Sequence, residues 1–265
     1  MNKTSKLYKS IAIVCFLLLG FTQMTNKHIT IYMIGDSTMA DKPLDDNPER
    51  GWGQLFPACF DSSVTIENHA KNGRSTKSFI AESLWQQVLV KLQPGDYVFI
   101  QFGHNDEKKE SPERYTTPEE YGKNLLRFVN ESREKGAIPV LCTPIVRRRF
   151  DKDGKFFDDH GDYPGAARNV ASANNVPLLD MTSLSEKLVG GLGPDESKKL
   201  YLFIKPGEYK SLPEGKEDNT HFSEYGAIQM AKLAVEELKR LNLPLVSRLK
   251  GESDQEKIDD KDNER

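Results

Sequence analysis

The chain has 265 residues and a formal charge of −3, with 29% charged and 37% hydrophobic residues. That length suits one large domain with a core of its own, needing no staples. The lack of a basic excess argues against nucleic acid as a partner.

The N-terminal segment stands apart from the rest. Lys3, Lys6 and Lys9 precede the apolar run 11–21. This run is shorter than the roughly 20 residues that span a bilayer. A basic stretch before a short apolar one fits a secretory signal peptide over 1–27. The mature chain is then expected to be secreted or periplasmic, in a bacterium, with no stable membrane insertion. An uncleaved anchor is the alternative, because 22–27 offers no small-x-small cleavage site. Cys15 lies inside the apolar run after Val14, an unsuitable place for a lipid-bearing cysteine. Loss of residues 1–27 removes four lysines and no acid, taking the formal charge from −3 to −7.

The first strand is expected over 28–34 (HITIYMI), followed by a helix over 52–60 and a strand over 64–70. A helix over 77–91 leads to the strand DYVFIQF, 96–102. Thr117, Pro118 and Glu120 form a helix start with a capping box. Tyr121, Leu125, Phe128 and Val129 share one face of that helix, and Gly136 stops it. The strand AIPVLCT (137–143), a helix over 163–174, the strand VPLLDM (176–181) and a helix over 182–189 follow. A last helix begins at Ser223, carries Ala227, Met230, Ala231, Ala234 and Leu238 on one face, and ends before Pro244. Residues 248–265 are highly charged and lack apolar periodicity, so they read as a disordered tail. The folded domain is then 28–247.

The strands are near-continuous apolar runs, which suits burial on both faces of a parallel sheet. Their alternation with helices implies an α/β fold, a three-layer α/β/α sandwich. Cys59 and Cys142 remain after the signal segment and are expected to be buried free thiols, although export would permit a disulfide. No Cys-x-x-Cys or zinc spacing is present, and no metal or cofactor is expected.

In such folds ligands bind beyond the carboxyl ends of the strands. Four polar groups fall there: GDST with Ser37, NHAKNGRS with Gly73 and Arg74, GHND with His104 and Asn105, and EDNTH with Asp218 and His221. Singly, each is an ordinary turn signal. Together they supply what acyl transfer needs. Ser37 is a nucleophile that requires a base, and His221 is that base. Asp218, three residues earlier in a loop, can orient the His221 ring. The backbone N–H groups of Ser37 and Gly73 and the side-chain amide of Asn105 can hold an oxyanion. Asp36 reads as a loop-holding residue.

With these blocks in place the chain resembles the SGNH (GDSL-like) hydrolases over about residues 29–243. It is most similar to the rhamnogalacturonan acetylesterases in GDSTMAD, GWGQ, NGRSTKSF, FGHND, VPLLDMTSLS and DNTHFSEYGA. The resemblance implies a flavodoxin-like fold with a five-stranded parallel sheet. It also implies Ser37, His221 and Asp218 as the catalytic triad, and Ser37, Gly73 and Asn105 as the oxyanion hole. The expected substrate is an acetylated polysaccharide or oligosaccharide, pectic rhamnogalacturonan first and acetylxylan second. Asn72, before Gly73, departs from the small residue common at that place.

Arginine binds carboxylates through paired hydrogen bonds, so Arg74, Lys77 and the run Arg147, Arg148, Arg149 are candidates to hold galacturonate. The opposing reading leaves Arg148 and Arg149 solvated and makes Arg74 a loop tie. His104 is a further candidate substrate contact. Trp52 offers a ring for sugar stacking and is equally suited to the core, whereas Trp85 reads as core. Charged loops around the motifs argue against a lipase or thioesterase. A two-metal phosphoesterase built on Asp36, His104, Asp106 and His221 lacks the usual ligand spacing. A non-catalytic carbohydrate-binding protein would not need the complete constellation.

Overall fold

The computed structural model describes residues 27–251. The expected signal peptide and most of the charged tail lie outside the described residues. Within them, the strands β1 (Ile29–Gly35), β2 (Val64–Asn68), β3 (Tyr97–Gln101), β4 (Ile138–Cys142) and β5 (Leu178–Leu179) form one parallel sheet in the order β2-β1-β3-β4-β5. This is the α/β fold expected from the sequence, with five parallel strands and flanking helices.

Strand periodicity divides the apolar side chains between two cores. Ile31, Met33 and Phe99 point to one face of the sheet, while Tyr32, Ile34, Val98 and Ile100 point to the other. The first core is closed by α1 (Trp52–Leu55), α6 (Met181–Glu196) and α7 (Glu224–Leu241), through Trp52, Met181, Val189, Ala227, Ala231 and Leu238. The second is closed by α2 (Thr76–Ala81), α3 (Leu84–Leu89), α4 (Pro118–Glu134) and α5 (Tyr163–Ala173), through Phe79, Trp85, Phe128 and Ala167. The capping box of α4 forms as its residues require: Glu120 N–H donates to Thr117 Oγ1 at 3.2 Å and Thr117 N–H to Glu120 Oε2 at 2.9 Å.

Several boundaries differ from expectation for identifiable reasons. The helix expected over 52–60 is α1 plus a 3-10 turn over Phe56–Cys59, because Pro57 cannot donate to an α-helical ladder. The helix expected over 77–91 is two helices, broken at Ser83, whose φ of 57° is left-handed. The strand expected over 176–181 keeps two residues, because Asp180 already caps α6 by accepting from Ser183 N–H. Beyond the expected domain end at 247, Arg248 O accepts from Asp61 N–H and Lys250 N–H donates to Cys59 O, so the chain stays attached this far. Cys59 and Cys142 are both free and buried.

The largest departure lies in the last third. A separate antiparallel pair, β6 (Tyr201–Ile204) and β7 (Lys216–Phe222), precedes α7. The segment carrying Asp218 and His221, read from sequence as a loop, is therefore a strand. Its polar composition, KEDNTHF, hides it from a search for apolar runs.

Candidate active site

The chain leaves β1 to form β2 on one side, then crosses back to place β3 on the other. At such a reversal the connections diverge and leave a crevice at the carboxyl ends of the two strands. Ser37 follows β1 and Asn105 follows β3, so both border this crevice, and Gly73 follows the neighbouring β2. The close fit of the strands depends on Gly35. A Cβ there would lie 2.6 Å from Gln101 O.

Ser37 sits on a tight turn held by Asp36. Asp36 Oδ1 accepts from Thr38 N–H at 2.9 Å and Thr38 Oγ1 at 2.8 Å. A buried chain of side chains continues below: Trp52 Nε1 donates to Gln101 Oε1 at 2.7 Å, and Gln101 Nε2 to Thr38 Oγ1 at 2.6 Å. Asp36 Oδ2 faces His104 Nδ1 at 3.3 Å, a contact that falls short of hydrogen-bond geometry. Burial would raise the Asp36 carboxyl, but His104 and the Thr38 donors outweigh it and bring it down to about 2. For His104 the balance reverses: burial outweighs the pull of Asp36 and depresses the ring to about 4, so it is neutral at pH 7.

Opposite Ser37 stands His221. Its Nε2 lies 2.9 Å from Ser37 Oγ, and its Nδ1 lies 2.8 Å from Asp218 Oδ2. In a regular strand residues three apart face opposite sides. Here the pairing of β6 and β7 jumps from Leu202–Asp218 to Tyr201–Phe222, so residues 219–221 bulge out of register. Asp218 Oδ1 stabilises the bulge by accepting from Thr220 N–H at 2.8 Å and His221 N–H at 3.0 Å. Burial works against the charged Asp218, but the His221 ring and these N–H donors hold its carboxyl well below the usual carboxylate range. Arg148, with its guanidinium over the rings of Phe150 and Phe203, braces the bulge: its N–H and Nη1 donate to the carbonyl and side-chain oxygens of Asn219, both at 2.8 Å.

Gly73 adopts φ 75°, a left-handed conformation that favours glycine. Asn105 is buried, and one of its two amide N–H groups donates to Arg74 O at 3.1 Å, leaving the other for a ligand. Among the described residues neither Ser37 N–H nor Gly73 N–H has a backbone acceptor. The arrangement can generate a nucleophile at Ser37 and offer donors to an oxygen beside it.

The expected substrate contacts do not converge here. Trp52 is fully buried and its indole belongs to the core. His104 is buried against Asp36 of the Ser37 turn, edge-on to His160 with ring centroids 4.6 Å apart. Arg147 is buried in ion pairs with Glu107 and Asp159. Arg74 donates through Nε and Nη2 to Glu82 and through Nη1 to Asn72 O, as the loop-tie reading anticipated. Lys77 donates to Pro112 O, and Arg149 pairs with Asp159. The four residues weighed as metal ligands do not converge on one point: of the other three, Asp36 faces His104 alone. Asp106 binds Thr76 and Thr116, and His221 binds Ser37 and Asp218. Two neighbours escaped the sequence reading. Lys216 Nζ lies 3.1 Å from Asp218 Oδ2, and Gln101 supports the Ser37 turn through Thr38. Lys216 is two residues before Asp218 and points the same way along β7, a signal legible only once the strand is known.

Residues 33–227 match the model of the GDSL-like lipase/acylhydrolase family. The chain belongs to this family. It is 42% identical to the rhamnogalacturonan acetylesterase RhgT of Bacillus subtilis, covering 85% of this chain and 96% of that one. It is 38% identical to YesY of the same organism, described as a probable rhamnogalacturonan acetylesterase, over 81% and 94% of the two chains. Among solved structures, the YxiM protein of Bacillus subtilis superposes with a TM-score of 0.68 at 28% identity. That match covers 82% of this chain and 58% of the longer YxiM chain. As a GDSL-like acylhydrolase related to acetylesterases, the chain is an esterase. Among the described residues no helix is long and apolar enough to cross a membrane.

Proposed function

We propose that the protein is a serine carbohydrate esterase that removes O-acetyl groups from pectic rhamnogalacturonan, and that residues 1–27 direct it to the bacterial periplasm or exterior. The observation that carries the chemistry is the continuous line from Asp218 through His221 to Ser37, with contacts of 2.8 and 2.9 Å. The substrate rests on likeness to the rhamnogalacturonan acetylesterases at 42% and 38% identity.

In this mechanism neutral His221 accepts the Ser37 proton at Nε2 as Oγ attacks the ester carbonyl carbon. The negative charge moves to the carbonyl oxygen, which takes hydrogen bonds from Ser37 N–H, Gly73 N–H and the Asn105 amide. Asp218 keeps the His221 ring oriented and stabilises its cation. His221 then gives its proton to the departing sugar oxygen, leaving acetyl on Ser37. Water attacks this ester as His221 takes its proton; the C–Oγ bond then breaks, His221 returns the proton to Ser37 Oγ, and acetic acid leaves and ionises to acetate. His221 acts as a base only through a free Nε2 lone pair, which the Asp218 contact at Nδ1 directs toward Ser37.

Acetate release across acetylated rhamnogalacturonan, homogalacturonan and xylan tests the reading. Highest kcat/KM on rhamnogalacturonan is expected, with Ser37→Ala losing acetate release from every substrate while melting like wild type. Preference for acetylxylan would replace the substrate, and activity surviving in Ser37→Ala would remove the nucleophile.

A further inference from the structure

We propose that Arg114, in the loop between β3 and α4, recognises a carboxylate of the substrate at the edge of the oxyanion site. This rests on the reading that Ser37 deacetylates a uronate-bearing polysaccharide.

The space above Gly73 is open. A Cβ built on that residue would have one neighbour within 4 Å, Arg114 Nη1 at 3.9 Å. A guanidinium nitrogen therefore stands beside Gly73, the residue whose N–H is proposed to help hold the ester oxygen. Arg114 Nε donates to Glu113 Oε1 at 3.1 Å and Nη2 to Ser111 Oγ at 2.9 Å, so neither bond uses the Nη1 edge. Glu113 is a weak competitor, because its side chain is 66% exposed and a solvated pair of this kind contributes little.

The position is held by the surrounding structure. Asp106 takes hydrogen bonds from Thr76 N–H and Oγ1 on the Gly73 side and from Thr116 Oγ1 on the Arg114 side. Lys77 Nζ reaches Pro112 O at 2.7 Å, and Tyr163 Oη donates to Thr116 O at 2.5 Å. Arg114 N–H closes a turn onto Ser111 O at 2.9 Å. The loops carrying Gly73, Asn105 and Arg114 are thus cross-linked, and the guanidinium keeps its place relative to the oxyanion donors. The basic residues first considered for this role, Arg74, Lys77, Arg147 and Arg149, are occupied by other partners.

A carboxylate that reaches Nη1 gains a charge-assisted hydrogen bond. In a chain whose acids outnumber its bases, 40 to 37, this local positive group gives a uronate an advantage over its neutral counterpart.

The test compares an acetylated galacturonate oligosaccharide with the same compound methyl-esterified at its uronate carboxyls, on wild type, Arg114→Gln and Arg114→Lys. The ratio of kcat/KM for acid over methyl ester is read within each protein, so a general loss of activity cancels. Wild type is expected to favour the acid by about tenfold, mainly through KM. Arg114→Gln is expected to bring the ratio close to one, and Arg114→Lys to restore part of it. A ratio in Arg114→Gln equal to wild type overturns the assignment, as does a wild-type ratio of one. In either case acetate release from the pectic compound leaves the esterase reading standing. Loss of the reading itself shows differently: wild type would release no acetate from either compound while cleaving 4-nitrophenyl acetate.

Discussion

Asp218 grips His221 at two points: Oδ2 faces ring Nδ1 at 2.8 Å, while Oδ1 accepts the backbone N–H at 3.0 Å. One carboxylate thus sets both the rotation of the imidazole and the bulge of the strand that carries it. Asp218→Asn keeps the shape but removes the charge and turns an acceptor into a donor at one oxygen. Its kcat is expected to fall about 10³–10⁴-fold with KM little changed, measured on an acetylated oligosaccharide. Because the native carboxyl is held below its ordinary range, this group stabilises the fold above pH 4. That contribution is lost as pH falls toward the folded-state value, and the difference in stability between wild type and Asp218→Asn should shrink accordingly.

The two residues proposed to support the oxyanion differ in kind. Asn105→Ala removes a side-chain donor and is expected to lower kcat by about 10²–10³-fold. Gly73→Ala leaves the N–H in place, and the new methyl would meet its nearest neighbour only at 3.9 Å, so crowding is not the cost. The cost is the positive φ of 75°, about 1–2 kcal/mol for a residue with a Cβ. Chemical denaturation should read that loss in Gly73→Ala, with a smaller fall in kcat than in Asn105→Ala because the N–H donor remains.

The buried pair Asp36 and His104 makes stability depend on pH with a definite sign. His104 is depressed from 6.5 to about 4, so between those values the unfolded chain binds a proton that the folded chain refuses. Its contribution is intact above pH 6.5 and lost as pH falls toward 4, on the order of 3 kcal/mol. Asp106 acts in the opposite sense. Burial outweighs its hydrogen bonds and raises it to about 7, so its contribution is present below pH 4 and lost as pH rises through 7. The two are separated by comparing wild type with His104→Gln. Between pH 7 and 4 the stability of wild type should fall relative to the variant, read by urea titration at each pH.

Trp52 distinguishes a core residue from a sugar platform. Trp52→Phe retains most of the ring burial but leaves Gln101 Oε1 without its donor, at a cost of about 1–3 kcal/mol. Melting temperature is expected to fall, and kcat with it, because Gln101 supports Thr38 and the Ser37 turn. KM is expected to stay near wild type. A rise in KM without loss of stability would instead return Trp52 to the substrate.

The sheet was legible because its strands are short, apolar and β-branched, and because helices with clear start and stop residues separate them. Ser37, Gly73 and Asn105 were legible for the same reason: each follows an identifiable strand, and strand ends are where a parallel sheet places its ligands. The β6–β7 pair was not legible. Its second strand is polar and its register is interrupted, so neither alternation nor hydrophobicity marks it. The fate of the basic residues was not legible either. Arg74, Arg147 and Arg149 are neutralised by Glu82, Glu107 and Asp159, partners 8 to 40 residues away in the chain.

Local physics in the sequence determined which segments form the parallel sheet, where those strands end, and that Ser37, Gly73 and Asn105 follow three of those ends. Tertiary structure alone decided that His221 reaches Ser37 across 184 residues, through a bulge that carries Asp218 and His221 to one side. It also decided that Trp52, His104 and Arg147 turn inward while Arg114 stands over Gly73. The physical reason is the range of the forces. Strand and helix signals come from neighbours along the chain. The direction a polar side chain takes depends on which distant group satisfies it.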